Sequence, residues 1–176
     1  MRFTKQRSFS NMALSKLDNL YRQVILDHSS HPHHRGTLGK SNVTIEMNNP
    51  TCGDVIHLEV EVNDGIISDI AFDGSGCSIS TASASMMTDA VIGKPLSEVE
   101  NLEQMFSDLV QGKDVPEADK LGDAAMLSGV AKFPTRIKCA TLAWKALEKA
   151  VLDSNTGIAE TSSIHPHEED SLGKNN

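Results

Sequence analysis

The chain begins with an amphipathic helical pattern that ends in a loop. Between residues 14 and 28 the apolar side chains recur at steps of three and four residues, which is the spacing of one helix face. That face comprises Leu14, Leu17, Tyr21, Val24, Ile25 and His28. The next segment, SSHPHHRGTLGKSN (29–42), contains a proline and two glycines, so we expect it to end the helix in an irregular connection.

Alternating apolar and polar residues then predict three β-strands. The candidates are VTIEM (43–47), VIHLEVEV (55–62) and IISDIAF (66–72). In the longest of them, apolar residues occupy every second position from Ile56 to Val62, which gives the strand one buried face. The turn Asn63-Asp64-Gly65 that follows is typical of a tight hairpin. The hairpin-linked strands are therefore expected to be antiparallel.

Everything after Phe72 has a helical pattern. We predict helices over residues 79–92, from Ser97 to Gly112 with Ser97 as the N-cap, and over 123–131. After a break at Pro134, a last helix carries Leu142, Leu147 and Val151. Strands followed by helices indicate an α+β fold. The expected architecture is a small antiparallel three-stranded sheet with helices packed on one face.

The length and charge of the chain limit its organisation and its partners. The chain has 176 residues, with 16 Lys and Arg against 24 Asp and Glu, for a net charge of −8. That length suits one domain, and that charge disfavours nucleic acid and anionic membranes as partners. We assign residues 1–11 to an N-terminal extension, 12–152 to the domain and 153–176 to a disordered acidic tail. The absence of a long apolar run or a secretory h-region predicts a cytoplasmic protein.

The three cysteines all fall at junctions between predicted elements. Cys52 lies in NNPTCGD between two strands, Cys77 in the glycine-rich loop DGSGCSIS before a helix, and Cys139 in RIKCATLAW at the opening of the last helix. An odd number in a reducing compartment argues against a disulfide framework. The positive end of a helix favours the thiolate form, and Cys77 and Cys139 are placed to use it.

The residue pattern leaves the role of these cysteines open. Three thiolates and the carboxylate of Asp54 would complete a four-coordinate zinc shell, with Arg136 and Lys138 close enough to offset its negative charge. Buried and inert thiols explain the composition about equally well.

The three cysteine motifs together resemble the IscU/NifU-N family in order and approximate spacing, over nearly all of residues 12–152. The resemblance implies a compact IscU/SufE-like α+β fold with the cysteines clustered at one end. Lys138 stands where Isc-type members carry a histidine, and the segment between Cys77 and Cys139 is longer than theirs. Both features resemble the SufU branch of the family, which binds zinc through three cysteines and one aspartate. The implied ligands are Cys52, Asp54, Cys77 and Cys139.

The same resemblance implies a zinc-dependent sulfur acceptor in iron–sulfur cluster assembly, a sulfurtransferase-like carrier rather than a free-standing enzyme. A SufS-type cysteine desulfurase would pass persulfide sulfur to Cys52, which lies in a turn without a helix to anchor it. Arg136 would steady the thiolate or orient Asp54, and a downstream Suf scaffold or a reductant would receive the sulfur. We expect the protein to act as a monomer.

Three alternatives accompany this hypothesis. The first is a scaffold that assembles a [2Fe–2S] cluster on the same four residues, since cysteine-rich sites suit iron and zinc alike. The second is a structural zinc module, and the third is a thiol hydrolase, for which no motif supplies a histidine base. The histidines of 28–34 are interpreted as a solvated loop or a surface that docks the desulfurase, and His57 as an exposed strand residue.

Overall fold

Our computed structural model describes residues 19–41, 43–51, 53–155 and 162–164. The predictions for the extension 1–11, for Leu14 and Leu17, for the surroundings of Cys52 and for most of the tail lie outside these residues. In the described part, residues 19–30 form helix α1, with Val24 and Ile25 partly buried and His28 buried, as the periodicity predicts.

The remaining elements follow in the predicted order. Strands β1 Val43–Asn49, β2 Asp54–Asn63 and β3 Ile66–Ser75 precede helices α2 Ser78–Val91 and α3 Leu96–Val110, a 3-10 segment Ala118–Lys132, helix α4 Pro134–Asn155 and a short strand β4 Ser162–Ile164. The α+β class and the three antiparallel strands are thus confirmed. Among the described helices, none combines the length and the apolar character that crossing a membrane requires.

The sheet has the strand order β3-β2-β1-β4. The turn between β2 and β3 has positive φ at Asp64 (53°) and Gly65 (72°), which is the backbone of the predicted two-residue hairpin. Strand β4 pairs in parallel with β1, with Ile45 opposite Ser162. A three-residue strand carries no alternation that a sequence pattern could reveal, and it falls within the segment assigned to the tail. Helix α4 also continues three residues past the predicted domain end at residue 152.

Helix α2 is buried on nearly all sides, because small residues let neighbouring elements approach it closely. Ser83 and Ala84 are 0% and 1% exposed. The Ser83 hydroxyl donates to the backbone carbonyl of Ala140 (2.6 Å) and accepts from Trp144 Nε1 (3.2 Å), so it joins α2 to α4. Trp144 also stacks on Phe106 of α3, with ring centroids 4.4 Å apart. The three helices therefore share one core.

Two predicted helix starts differ from the structure. Helix α3 begins at Leu96 with Pro95 as N-cap and no side-chain cap, so the predicted capping role of Ser97 is wrong. The Leu96 N–H instead donates to the carbonyl of Gly65 (2.9 Å), because the hairpin turn lies against this helix end. The predicted helix 123–131 is part of the longer 3-10 segment, which kinks at Gly122, where φ is +59°.

Glu103 of α3 supplies a test of stability against pH. Burial, followed by the charges of Glu148 and Glu100, raises its pKa from 4.5 to about 8. The folded state therefore holds a proton that the unfolded state releases between pH 4.5 and 8, and stability falls as pH rises through that window. We expect Glu103→Gln to be more stable than wild type above pH 8, by on the order of 1–3 kcal/mol after allowance for solvent screening.

Urea unfolding at pH 5 and at pH 8.5 measures this effect. The gain from Glu103→Gln should shrink towards pH 5. Glu98→Gln is the matched control, because the Glu98 side chain is half-exposed beside Lys94 and should show no such trend. Equal pH trends for the two variants would contradict the assignment.

Gly74, near the end of β3, supplies a second test. Its φ is +132°, and a Cβ there would lie 2.1 Å from the backbone carbonyl oxygen of Val55. We expect Gly74→Ala to lower the free energy of unfolding by on the order of 3 kcal/mol or more, since neither backbone can yield without breaking the ladder. Gly65→Ala, which meets open space, should cost only about 1 kcal/mol for its left-handed backbone. Similar losses of unfolding free energy for the two variants in urea would show that the close approach of Gly74 to Val55 does not determine the cost.

Candidate metal centre

Asp54 is the first residue of β2 and is only 2% exposed. The hairpin register places Ser75 opposite Val55, so the chain that follows β3 passes directly over Asp54. Oδ1 of Asp54 accepts the backbone N–H of Cys77 (3.0 Å), and Oδ2 lies 3.9 Å from the Cys77 sulfur. The strand pairing thus brings together an aspartate and a cysteine that are 23 residues apart.

Cys77 is the N-cap of α2, and its sulfur accepts the N–H of Ser80 at 3.5 Å. Gly76, which precedes Cys77, lies close to two other side chains. A Cβ at this position would lie 3.2 Å from Asp54 Oδ1 and 3.0 Å from Ser80 Oγ. Cys77 is half-buried, so its sulfur is held by the helix end and still reached by solvent. This is the helix-terminus position expected from the glycine-rich motif.

Cys139 belongs to the same cluster. It is the sixth residue of α4 and only 1% exposed, with its sulfur 3.9 Å from the carbonyl of Thr135. Because α4 begins at Pro134, Cys139 stands in the second turn, and the expected help from free N–H groups applies to Cys77 but not to Cys139. Ligand atoms of Asp54, Cys77 and Cys139 all lie within 4.8 Å of one another.

Arg136 stands beside both sulfurs. The negative charge of Cys77 and a hydrogen bond with Cys139 raise the pKa of Arg136 above its ordinary value. The guanidinium is three residues before Cys139 and therefore on the same helix face. It supplies the positive charge that two thiolates and a carboxylate require. Lys138 is exposed on the same helix.

A groove of about 490 Å³ opens beside the cluster, lined by Cys77, Ser78, Ile79, Phe133 and Arg136. The Phe133 ring is 60% exposed, the largest exposed fraction among the exposed large apolar side chains of the described residues. Phe133 was not among the predicted site residues. Its one signal in the sequence is that an aromatic residue directly precedes Pro134.

Cys52 lies outside the described residues, so its predicted place in the cluster stays a prediction. Its chain neighbours form a turn around Asn49, whose carbonyl accepts the N–H of Gly53 (2.8 Å) and whose side chain accepts the N–H of Thr51 (3.1 Å). Two Cα–Cα steps separate residue 52 from Asp54, which limits their Cα separation to about 7 Å.

In the histidine segment, His31 and His33 are exposed as predicted, and His28 differs from the prediction. His28 is 2% exposed, with Nδ1 2.7 Å from Ser85 Oγ and Nε2 2.8 Å from Asp123 Oδ2, so it is not a solvated residue. The hydroxyl and carboxylate that satisfy it come from distant parts of the chain, which periodicity could not reveal. His33 pairs with Asp89 at 2.5 Å. His57 is half exposed beside Glu46, as predicted for the outer face of its strand.

Comparison with known proteins places this geometry in context. The chain matches the family model of the NifU-like N terminal domain over residues 20–140. A Streptococcus pyogenes serotype M1 protein named as the iron–sulfur cluster assembly scaffold protein IscU is 57% identical over 140 residues, covering 80% of this chain and 87% of that protein. The zinc-dependent sulfurtransferase SufU of Bacillus subtilis is 51% identical over 143 residues, covering 81% of this chain and 97% of SufU.

A solved structure agrees with these relatives. The SufU crystal structure from Fervidobacterium islandicum, described as a cluster assembly scaffold for the SUF system, superposes with a TM-score of 0.69 at 32% identity, covering 73% of this chain and 93% of that one. The resemblance carried by the three cysteine motifs is therefore confirmed. With a family model matching residues 20–140 and relatives 57% and 51% identical, the chain belongs to the NifU-like N terminal domain family.

Proposed function

We propose that this protein is a zinc-dependent sulfur acceptor in iron–sulfur cluster assembly. The convergence of Asp54, Cys77 and Cys139 to within 4.8 Å, beside a groove that is open to solvent, is the observation that carries the proposal. The name of the Bacillus subtilis relative supports zinc and sulfur transfer as its chemistry.

The residues of the cluster fit a zinc ion. Two cysteine sulfurs and one carboxylate are donors that four-coordinate zinc accepts, and Cys52 is the proposed fourth ligand, two residues before Asp54 along the chain. Bound zinc would keep the thiols deprotonated at neutral pH. Asp54 is oriented for this role by the N–H of Cys77, which leaves its second oxygen directed at the sulfur.

Cys52 is the proposed acceptor. Its thiolate attacks the terminal sulfur of a cysteine persulfide on a SufS-type desulfurase. The new bond joins the Cys52 sulfur to that terminal sulfur, the sulfur–sulfur bond of the donor breaks, and the donor cysteine leaves as a thiolate. No external oxidant or reductant is needed. Arg136, held between Cys77 and Cys139, offsets the negative charge that accumulates there.

The groove beside Cys77 is the proposed approach for the donor. Phe133 and Ile79 offer apolar surface, and Arg136 offers charge at the same opening. A downstream Suf scaffold or a reductant would then take the sulfur from Cys52.

The second candidate function is that of a scaffold that assembles a [2Fe–2S] cluster on the same residues, which the name of the Streptococcus pyogenes relative favours. Lys138 favours the sulfur-acceptor function over the scaffold function, because Isc-type members carry a histidine at that position.

Metal content separates the two candidates. We expect protein purified without oxygen and washed with a mild chelator to be colourless and to retain one tightly bound zinc ion. Asp54→Ala should lose most of that ion, because the buried carboxylate is a ligand, while His57→Gln should retain it. A brown protein with iron and labile sulfide would overturn the acceptor and support the scaffold.

Desulfurase assays test the acceptor step. We expect wild-type protein to raise alanine production by a SufS-type desulfurase at least tenfold more than Cys52→Ala does, since that variant has no sulfur to receive the persulfide. The Arg136→Ala variant should retain zinc but stimulate the desulfurase several-fold less than the wild type does.

Lys132→Ala is the matched control, because it removes the same charge from an exposed position a few residues earlier. It should stimulate as the wild type does. Full stimulation by Cys52→Ala would exclude this residue as the acceptor.

A further inference from the structure

A second cluster of ligand side chains lies at the far end of α2. Within the described ranges, ligand atoms of His28, His33 and Asp89 also lie within 4.8 Å of one another. Asp89 is twelve positions after Cys77, which is about 18 Å along a helix axis. The cluster is therefore separate from the cysteine centre.

The loop after α1 is fastened where it carries these imidazoles. The backbone N–H of His33 donates to Ser85 Oγ of α2 (2.8 Å), and the carbonyl of His34 accepts the N–H of Phe72 of β3 (3.0 Å). His34 has a positive φ of 56°, so the chain turns sharply at this point. The rings are thus positioned by backbone contacts to two elements, and the order needed for binding already exists.

His28 forms the buried side of the cluster. Its ring lies 4.6 Å from the ring of His33, between the hydroxyl of Ser85 and the carboxylate of Asp123. Both ring nitrogens are hydrogen-bonded, so an ion bound to His28 would replace one of these two partners. The other contact would remain and orient the imidazole, as hydrogen-bonded partners of metal-binding histidines do.

His33 and Asp89 form the open side. Nδ1 of His33 lies 2.5 Å from Oδ2 of Asp89, and the two side chains are 48% and 40% exposed. Nδ1 of His34 is hydrogen-bonded to Thr88 Oγ1 (2.9 Å) and lies 3.5 Å from the other carboxylate oxygen. Ligand atoms around a four-coordinate zinc ion stand about 3.3 Å apart, so partly exposed side chains need only small rotations to reach that geometry.

From these contacts we infer a second site for a divalent transition-metal ion, with zinc as the ion to test. His28, His33 and Asp89 are the protein ligands, and water occupies the fourth position. Two imidazoles and one carboxylate form a donor set that zinc commonly takes, with the open position kept for water. The site does not depend on the function proposed for the cysteine centre.

Zinc binding to the metal-free full-length chain tests the inference. Equilibrium dialysis with elemental analysis should find two zinc ions on the wild type and one on Asp89→Asn. In a titration, His33→Gln should raise the dissociation constant of the second ion at least tenfold. Both substitutions are at partly exposed positions, and circular dichroism checks that the variants remain folded.

Two controls make the result decisive. His57→Gln removes another half-exposed histidine that has a carboxylate neighbour, Glu46 at 3.3 Å, and it should still bind two ions. Cys77→Ser should lose the ion of the cysteine centre and keep the second one, so failure of the proposed function and failure of this site are distinguishable. Unchanged zinc binding by both His33→Gln and Asp89→Asn would overturn the inference.

Discussion

The buried carboxylate of Asp54 is the constraint on which the cysteine end of the molecule depends. Transferring a carboxylate from water to the position where it is 2% exposed costs several kcal/mol unless partners replace the lost hydration. The N-terminus of α2 supplies such a partner in the N–H of Cys77, together with the positive end of the helix. Strand β2 and helix α2 must therefore begin at the same place. The close approaches at Gly74 and Gly76 are consequences of that requirement.

Packing of small side chains fixes the other side of the centre. Cys139 reaches Cys77 because α4 lies close against α2, and α2 permits this with serine and alanine where larger residues would separate the helices. The buried hydroxyl of Ser83 satisfies one polar group from each of two residues of α4, so the close contact leaves neither of them without a hydrogen bond. The separation of the two sulfurs is thus a property of the helix pair.

The parts that could be predicted from sequence are those with a local physical cause. Alternation from Ile56 to Val62 and the turn at Asp64 and Gly65 determine the hairpin, because strand faces and turn backbones depend on nearby residues. The motif around Cys77 likewise places it at a helix start. Features that depend on distant partners were missed or mistaken. Pro95 and the carbonyl of Gly65, rather than Ser97, define the start of α3. The partners of buried His28, Ser85 and Asp123, lie 57 and 95 residues away along the chain.

The contact between Ser83 and Trp144 has an optical consequence. The chain contains one tryptophan, and its indole is 3% exposed, hydrogen-bonded to α2 and stacked on Phe106. Its tryptophan fluorescence therefore comes entirely from the junction that sets the spacing of Cys77 and Cys139. Emission from so enclosed an indole lies at short wavelength and moves to longer wavelength when water enters. Loosening of the two helices is consequently visible in the unlabelled protein, without any probe attached to the thiols.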